Sequence, residues 1–211
     1  MKPLLLFDFD GTLADSLDLG LKIANNLAPV IGRSPMTHEE IQHLRSMPLA
    51  KAFKELKIHF WLIPGLISKA LVQYRHLLHE IEPFESIHDM LLELKHLGIS
   101  VALLTSNTKE NVNAFLKHWD MEYFDWVEGT SGILKKHNSI RRQINKHKLD
   151  KERVLYVGDE VRDIDAAHHC GIKVIAVSWG FHTKDLLVSH DPDYLVDTPQ
   201  QIVSIAREIF L

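Results

Sequence analysis

The sequence predicts an α/β protein in which a parallel β-sheet lies between two layers of helices. Short, continuous apolar runs occur several times along the chain, and amphipathic helical patterns separate the later ones. Strands that are buried on both faces are apolar throughout, and strands that alternate with helices form parallel sheets. The alternation stops once, over residues 15–82, where helical patterns follow one another. We therefore expect a sheet-containing core of residues 1–14 and 83–211, with an all-helical domain inserted at residues 15–82.

Four apolar runs predict the main strands of the core. Each run is followed by small, polar or acidic residues, as expected where a buried strand reaches the edge of its sheet. Apolar side chains three and four residues apart predict helices over residues 86–97 and 109–118. The predicted strands are Leu4–Phe7, Val101–Leu104, Val154–Val157 and Val174–Val177.

The inserted segment carries helical start signals and apolar helical faces. Asp15 or Ser16 is expected to cap a first helix that ends near Pro29. Thr37 and Glu40 have the spacing of a capping box and predict a second helix. Helical patterns also cover residues 48–57 and 66–81, with Pro64-Gly65 as the expected break between them. The predicted apolar face of the first helix consists of Leu17, Leu21, Ala24 and Leu27 or Ala28.

The composition excludes several classes of protein. Lys and Arg number 24 against 28 Asp and Glu, so the formal charge of −4 argues against a basic nucleic-acid binder. A single cysteine excludes an intramolecular disulfide framework and cysteine-ligated zinc or iron–sulfur sites. No apolar run approaches the roughly 20 residues of a membrane-spanning helix, and the N-terminus lacks a secretory signal. We expect a cytoplasmic protein that binds neither nucleic acid nor membranes.

Acidic side chains follow two of the predicted strands. Asp8 and Asp10 come after the first strand, Asp159 and Asp163 after the third, and Thr105 directly follows the second. Because the carboxyl ends of parallel strands meet at one edge of the sheet, these residues should converge there. Carboxylates held close together raise each other's pKa or recruit a cation, and Mg²⁺ suits such a site. None of the 14 histidines falls in these clusters, so we interpret them mainly as surface residues.

Three motifs that contain these acidic residues and Thr105 resemble, in their order along the chain, the signatures of the haloacid dehalogenase-like hydrolases. A lysine completes the set, and Lys136 fits the family spacing better than its neighbour Lys135. The resemblance covers essentially the whole chain and implies a Rossmann-like core. It is nearest to the phosphoglycolate phosphatase-like branch, in which a helical cap follows the first strand. The motifs are Asp8-Phe9-Asp10-Gly11-Thr12-Leu13, Thr105-Ser106-Asn107 and Gly158-Asp159-Glu160-Val161-Arg162-Asp163.

The resemblance implies a role for each matched residue. Asp8 would be the nucleophile, Asp10 the general acid and base, and Lys136 the lysine of the catalytic set. The cap would contact the leaving group of the substrate, and Arg45 is the candidate, although a surface arginine at a helix end is equally compatible with the sequence. Phosphoryl oxygens would be bound by Thr105, Ser106 and Asn107. Mg²⁺ would be held by Asp8, the backbone carbonyl of Asp10 and Asp159, with Asp163 acting through a water or orienting a neighbour.

These roles describe a Mg²⁺-dependent phosphatase, a monomer or homodimer, that acts on a small phosphorylated metabolite through an aspartyl-phosphate. A phosphomutase of the β-phosphoglucomutase type stays an alternative, because it shares the core residues and differs mainly in the cap. A phospho-accepting signalling module also carries an acidic cluster, a threonine and a lysine. Such modules are shorter, however, and lack a large helical insertion after the first strand.

Overall fold

The structure, a computed structural model, describes residues 2–129 and 136–211. In these two ranges six β-strands form one sheet, and no helix has the length and apolar character needed to cross a membrane. The strands are β1 (Leu4–Phe7), β2 (Ser100–Thr105), β3 (Val127–Gly129), β4 (Val154–Gly158), β5 (Lys173–Val177) and β6 (Tyr194–Val196). The helices are α1 (Leu17–Leu27), α2 (His38–Arg45), α3 (Leu49–Glu55), α4 (Ile63–Leu77), α5 (Ile87–His96), α6 (Lys109–His118), α7 (Lys136–Lys146), α8 (Val161–Cys170), α9 (Lys184–Val188) and α10 (Pro199–Phe210).

Neighbouring strands of the sheet run parallel, in the order β3-β2-β1-β4-β5-β6. β1 lies between β2 and β4, and Leu4 is paired with Ser100 on one side and with Val154 on the other. The chain builds outward from β1 to β2 and β3 and then returns to β4, so the strand order reverses beside β1. In open parallel sheets a ligand crevice forms at such a point, outside the carboxyl ends of the strands.

The sheet is buried on both faces. In β1, Leu5 and Phe7 belong to one hydrophobic cluster, and Leu4 and Leu6 belong to another. Residues of α5, α6 and α10 complete the first cluster, and residues of α7, α8 and α9 complete the second. This is the three-layer α/β arrangement that the sequence predicts, and it explains why the central strands are apolar without interruption.

The predicted strands are all present, but the sequence analysis missed two others. β1 agrees with its prediction residue for residue, and β2, β4 and β5 are slightly longer than predicted. The missed strands, β3 and β6, lie at the two edges of the sheet and have three residues each. A run of three residues is too short for a periodic pattern, so pairing with a neighbouring strand defines such a strand.

The segment between β1 and α5, which we call the helical insertion, contains α1 to α4. Thr37 caps α2 and forms the predicted capping box with Glu40. The expected break at Pro64-Gly65 is wrong, because both residues lie in the first turn of α4. Proline is tolerated in a first turn, since the amides there have no intrahelical acceptor to lose.

α1 buries the predicted face only at its C-terminal end, at Leu27 and the following Ala28. Its buried residues are Leu19, Ile23 and Leu27, which pack in the cluster on the first face of the sheet. The rest of the predicted face, Leu17, Leu21 and Ala24, is not buried and lines a cavity within the helical insertion. Ile23 and Leu27 line the cavity too, so the packed side of α1 and the side that faces the cavity adjoin one another.

Two short segments connect the helical insertion to the sheet, and they run side by side. The Asp15 N–H donates to the carbonyl of Glu82 at 2.9 Å, and the Phe84 N–H donates to the carbonyl of Leu13 at 3.0 Å. These backbone hydrogen bonds fix the insertion at the carboxyl end of β1, where the ligand crevice is expected.

Burial on both faces of β1 can be tested with two alanine substitutions. Leu5→Ala and Leu6→Ala should each lower the free energy of unfolding by about 2–5 kcal/mol, because each empties a fully buried site on an opposite face. Urea unfolding measures both. Val188→Ala, at a position that is 52% exposed, is the control and should change the value by less than about 0.5 kcal/mol. A large loss in only one leucine variant would contradict the arrangement.

Candidate active site

Asp8 lies one residue beyond β1, and its side chain is 2% exposed. Its Oδ1 accepts the N–H of Phe9 at 2.8 Å, and its Oδ2 contacts the ammonium group of Lys136. Lys136 begins α7, is 6% exposed and also contacts Oδ1 of Asp163. One buried ammonium group therefore bridges two buried carboxylates that come from different elements of the fold.

Asp163 has a second contact, within its own helix. It lies in the first turn of α8, and its Oδ2 accepts the N–H of Glu160 at 3.1 Å as part of a capping box. A Cβ on Gly158 would overlap the Asp163 side chain, so the glycine makes room for this carboxylate. Asp163 thus caps α8 and at the same time positions Lys136.

Asp159 follows β4 and is enclosed by two loops. Its Oδ1 accepts the hydroxyl of Thr12 at 2.9 Å, and its Oδ2 accepts the N–H of Phe181 at 2.8 Å. Gly11, with a φ of +74°, and Gly180 approach the carboxylate so closely that a Cβ on either would overlap it. The chain after β1 and the chain after β5 therefore both pack against this side chain.

Together these carboxylates could hold a metal ion. Asp8, Asp159 and Asp163 each offer an oxygen, and the three oxygens lie within 4.8 Å of one another. All three residues are buried, and Lys136 offsets one of the three negative charges. Carboxylate oxygens with a net negative charge are the ligands that hard divalent cations prefer, so the residues present fit such an ion.

The pKa values of the cluster show the cost of burying these charges. Burial raises the pKa of Asp8, although the ammonium of Lys136 offsets part of that rise. Burial, Glu160 and the other two carboxylates raise the pKa of Asp159 well above its usual value. Burial opposes a charge on Lys136 too, but Asp163 and Asp8 outweigh it and raise its pKa. The ionised cluster is thus short of positive charge, and a cation would supply it.

Asp10 lies beside this cluster and has its own hydrogen-bond partners. Its Oδ1 accepts the hydroxyl of Tyr74 at 2.7 Å, and its Oδ2 accepts the side-chain amide of Asn107 at 3.1 Å. Burial raises the pKa of Asp10, although hydrogen bonds from Tyr74, Ser16 and Asn107 oppose the rise. Burial and Asp10 also raise the pKa of Tyr74, so its hydroxyl stays protonated. Because Tyr74 belongs to α4, the helical insertion holds one side of Asp10.

The loop after β2 orients Asn107. The Asn107 N–H donates to Oγ1 of Thr105 at 2.9 Å, and its Oδ1 accepts the N–H of Thr108 and the side-chain amide of Asn111 at 2.9 and 3.0 Å. Since Oδ1 is engaged in this way, the amide nitrogen of Asn107 faces Asp10. Ser106 lines the cavity next to Asp10. Of the three residues predicted to bind phosphate, Asn107 contacts Asp10, Ser106 lines the same cavity as Asp10, and Thr105 is hydrogen-bonded to Asn107.

Arg45 lies at the junction between the helical insertion and the loop after β5. Its Nε donates to the carbonyl of Phe181 at 2.7 Å and its Nη2 to the carbonyl of Gly180 at 3.1 Å. The Thr183 N–H donates to the Arg45 carbonyl at 3.2 Å. In this arrangement Arg45 holds α2 against the loop that encloses Asp159, and its contact with a substrate stays a prediction. Lys135, the alternative to Lys136, lies outside the described residues.

One buried histidine contacts the start of α8, the helix that carries Asp163. His182 is 1% exposed, and its Nδ1 accepts the N–H of Val161, the first residue of α8, at 2.9 Å. Burial lowers the pKa of His182, which favours the neutral ring that such an acceptor requires. His182 is thus an exception to the interpretation of the histidines as surface residues.

Comparison with known proteins decides the family. The sequence profile of the haloacid dehalogenase-like hydrolases matches residues 5–177, a range that includes Asp8, Asp10, Asp159 and Asp163. The chain belongs to the haloacid dehalogenase-like hydrolase family. A phosphoglycolate phosphatase from Synechococcus elongatus is 30% identical over 206 residues, which are 97% of each chain. A pyrophosphatase from Anoxybacillus flavithermus is 25% identical over 210 residues, which are 95% of each chain.

A solved structure from the same family has this fold. A haloacid dehalogenase-like hydrolase from Streptococcus pneumoniae superimposes with a TM-score of 0.80 over 97% of this chain and 98% of that one, at 23% identity. The parallel sheet is thus shared with a solved structure of the family. The carboxylate cluster lies at the carboxyl ends of its strands, where a ligand crevice is expected.

Sequence reasoning missed Tyr74. The residue lies at the end of an apolar stripe on α4, one turn after Ala70 and Leu71, and a tyrosine there looks like a core residue. A hydroxyl at the inner end of such a stripe is a signal of a polar partner, because buried tyrosine hydroxyls are usually hydrogen-bonded. That the partner is Asp10, however, follows only from the packing of α4 on the core.

The bridging role of Lys136 predicts a large effect on stability. Lys136→Met should lower the free energy of unfolding by about 3–5 kcal/mol in a metal-free buffer, because Asp8 and Asp163 then lie buried without their cation. Lys146→Met on the same helix is the matched control. That lysine is 55% exposed and pairs with Glu128 at 3.3 Å, so its loss should cost less than about 1 kcal/mol. Equal losses in the two variants would contradict the bridge.

Proposed function

We propose that this hydrolase is a Mg²⁺-dependent phosphatase that cleaves the monoester of a small phosphorylated compound through an aspartyl-phosphate on Asp8. The observation that carries the proposal is the pairing of two unlike carboxylates at one sheet edge. Asp8 is buried against Lys136 and two further acids, whereas Asp10 lies partly buried between neutral donors. Two carboxylates in such different environments suit a nucleophile and a general acid. The names of the Synechococcus and Anoxybacillus relatives support phosphoryl chemistry.

Asp8 is the proposed nucleophile. One of its carboxylate oxygens attacks phosphorus, a new oxygen–phosphorus bond forms, and the bond from phosphorus to the leaving alcohol breaks. Lys136 and the Phe9 N–H hold the Asp8 carboxylate in one orientation, so little motion is needed before attack. Asp163, by fixing Lys136, is a positioning residue for this step.

Asp10 is the proposed general acid and base. In its protonated form it gives its proton to the leaving alcohol oxygen, and it then takes a proton from the water that attacks the phosphorus of the aspartyl-phosphate. The second attack restores the Asp8 carboxylate and releases inorganic phosphate. The raised pKa of Asp10 favours the protonated form that the first step needs. Tyr74 and Asn107 hold the carboxyl group in place during both steps.

The proposed metal ligands are the side chains of Asp8 and Asp159 and the backbone carbonyl of Asp10. Asp163 lies in the same cluster and contributes its charge. When bound, Mg²⁺ neutralises phosphoryl oxygens that would otherwise repel the Asp8 carboxylate. The Thr12 hydroxyl and the Phe181 N–H hold Asp159 in position for this purpose.

Thr105, Ser106 and Asn107 are the proposed phosphate-binding residues. They lie at the end of β2 and in the loop that follows it, and hydroxyl and backbone N–H groups there could donate to phosphoryl oxygens. The Asn107 N–H already donates to Oγ1 of Thr105 in this structure. Ser106 lines the cavity, where its groups could donate to a phosphate. Lys136 adds a positive charge at the Asp8 side.

Residues 15–82 are the proposed cap, and residues 1–14 with 83–211 the proposed catalytic core. The paired segments near Asp15 and Glu82 give the cap a narrow connection about which it can move. Two of its polar side chains contact the active site, Arg45 on the loop beside Asp159 and Tyr74 on Asp10. In this structure Tyr74 already contacts the proposed general acid, and a cap held in this position would exclude water from it.

Asp8→Asn should abolish release of phosphate from a panel of phosphate monoesters, with a loss of more than about 10³-fold in kcat, because the amide is a poor nucleophile. Asp10→Asn should cost about 10²–10⁴-fold, the usual value of a general acid and base. Asp165→Asn, at a 64% exposed side chain on α8, is the control and should retain activity. Turnover by the Asp8→Asn variant would remove Asp8 as the nucleophile.

Mg²⁺ should also stabilise the folded protein, because it relieves repulsion among the buried carboxylates. At 100 times its dissociation constant the gain is about 2.7 kcal/mol, which thermal unfolding detects as a higher Tm. Asp159→Asn should reduce this Mg²⁺-dependent rise, whereas Asp89→Asn, at an 85% exposed side chain, should retain it. EDTA should stop turnover reversibly. An unchanged Tm of the wild type in saturating Mg²⁺ would count against the metal site.

A further inference from the structure

A cavity of about 450 Å³ lies inside the helical insertion and opens onto the candidate active site. At one end it is lined by Asp10, Asn107 and Asp159, the residues around which a phosphoryl group would be bound. From there it extends between α1, α2, α3 and α4. Cavities of roughly 300–1,000 Å³ that continue into a polar site are the usual form of small-molecule pockets.

The walls of the cavity are made largely by apolar side chains of the four helices. On α1 the lining residues Leu17, Leu21 and Ala24 lie on successive turns and are not among the buried residues of the helix. On α4, Ile67 and Leu71 line the cavity in the same way. An apolar helix side normally packs against protein, so a side that faces an open cavity is suited to an apolar ligand.

Charged groups are scarce along this cavity away from the carboxylates. Among the described residues that line it there, the charged one is Arg33, which pairs with Glu40 at 3.0 Å and reaches the carbonyl of Leu56 at 3.5 Å. Arg45 is engaged by the carbonyls of Gly180 and Phe181 and does not line the cavity. A carboxylate or a second phosphate bound here would lose its water without gaining a free cation.

The apolar lining also continues to the surface of the helical insertion. Ile58 and Ile63 line the cavity, and the three residues in the chain between His59 and Ile63 are exposed: Phe60 is 77%, Trp61 60% and Leu62 39% exposed. An exposed apolar patch beside an apolar cavity is suited to the entry of an apolar group.

We propose that the alcohol portion of the substrate is an apolar group, alkyl or aryl, which occupies this cavity while its phosphate is held at Asp8. The proposal rests on the phosphatase function proposed above and names the substrate class for the same site. It differs from phosphoglycolate, whose alcohol portion carries a carboxylate.

A series of n-alkyl phosphates from methyl to octyl tests the proposal, with phosphoglycolate as the polar comparison. With the wild-type protein and Mg²⁺, kcat/KM should rise roughly twofold to fourfold for each added methylene, through KM, because each buried CH₂ adds about that factor in binding. Hexyl phosphate should be cleaved at least tenfold more efficiently than phosphoglycolate. An alkyl series that is flat, or a preference for phosphoglycolate, would overturn the proposal and leave the phosphatase function standing.

A pair of matched variants locates the binding site of the alkyl chain. Gly20 lines the cavity, and a Cβ there would meet no atom within 4 Å, so Gly20→Leu should narrow the cavity from a position that has room for a side chain. Gly65, on α4, is equally open but does not line it. Gly20→Leu should lower kcat/KM for octyl phosphate at least tenfold and leave methyl phosphate unchanged, whereas Gly65→Leu should change neither.

The outcomes separate the two proposals. Equal behaviour of the Gly20→Leu and Gly65→Leu variants, with folding verified by circular dichroism, would place the alkyl chain elsewhere and overturn the assignment of the cavity. Release of phosphate from no ester in the series, phosphoglycolate included, would overturn the phosphatase function and this proposal with it.

Discussion

Three carboxylates, those of Asp8, Asp159 and Asp163, share a buried pocket with the ammonium of Lys136. Two like charges about 4 Å apart repel by about 4 kcal/mol at an effective dielectric constant of 20. Lys136 and the nearby guanidinium of Arg162 offset this repulsion only in part, since burial and the neighbouring acids keep the pKa of Asp8 and of Asp159 raised. Two glycines that admit Asp159 and the two groups that donate to it hold this carboxylate where it could bind a further cation.

The helical insertion depends on the same edge of the sheet. Arg45 holds it against the loop that encloses Asp159, and Tyr74 places a hydroxyl on Asp10. The contacts that hold the helical insertion on the sheet edge therefore also position the proposed general acid. The cavity begins at Asp10 and runs between the helices of the insertion, so a group bound there would touch both parts of the protein.

The sequence predicts the features that depend on local patterns, namely the central strands and the acidic residues at their carboxyl ends. Buried parallel strands require apolar runs, which the sequence shows directly. Because the carboxyl ends of such strands meet at one edge of the sheet, the convergence of Asp8 and Asp159 could be predicted without predicting any loop. β3 and β6 escaped prediction because pairing with a neighbour defines a three-residue edge strand. Periodicity does not reveal how helices dock. The contact of Tyr74 with Asp10 and the exposure of part of α1 to the cavity depend on that docking.

The most direct test of the account is to detect the phosphoryl group on Asp8. Wild-type protein would be mixed with Mg²⁺ and an activated aryl phosphate, quenched rapidly in acid, digested and analysed by peptide mass spectrometry. The account predicts a phosphorylated peptide that contains Asp8, dependent on Mg²⁺ and absent from the Asp8→Asn variant. Steady release of phosphate with no label on that peptide, or a label on another residue, would contradict it.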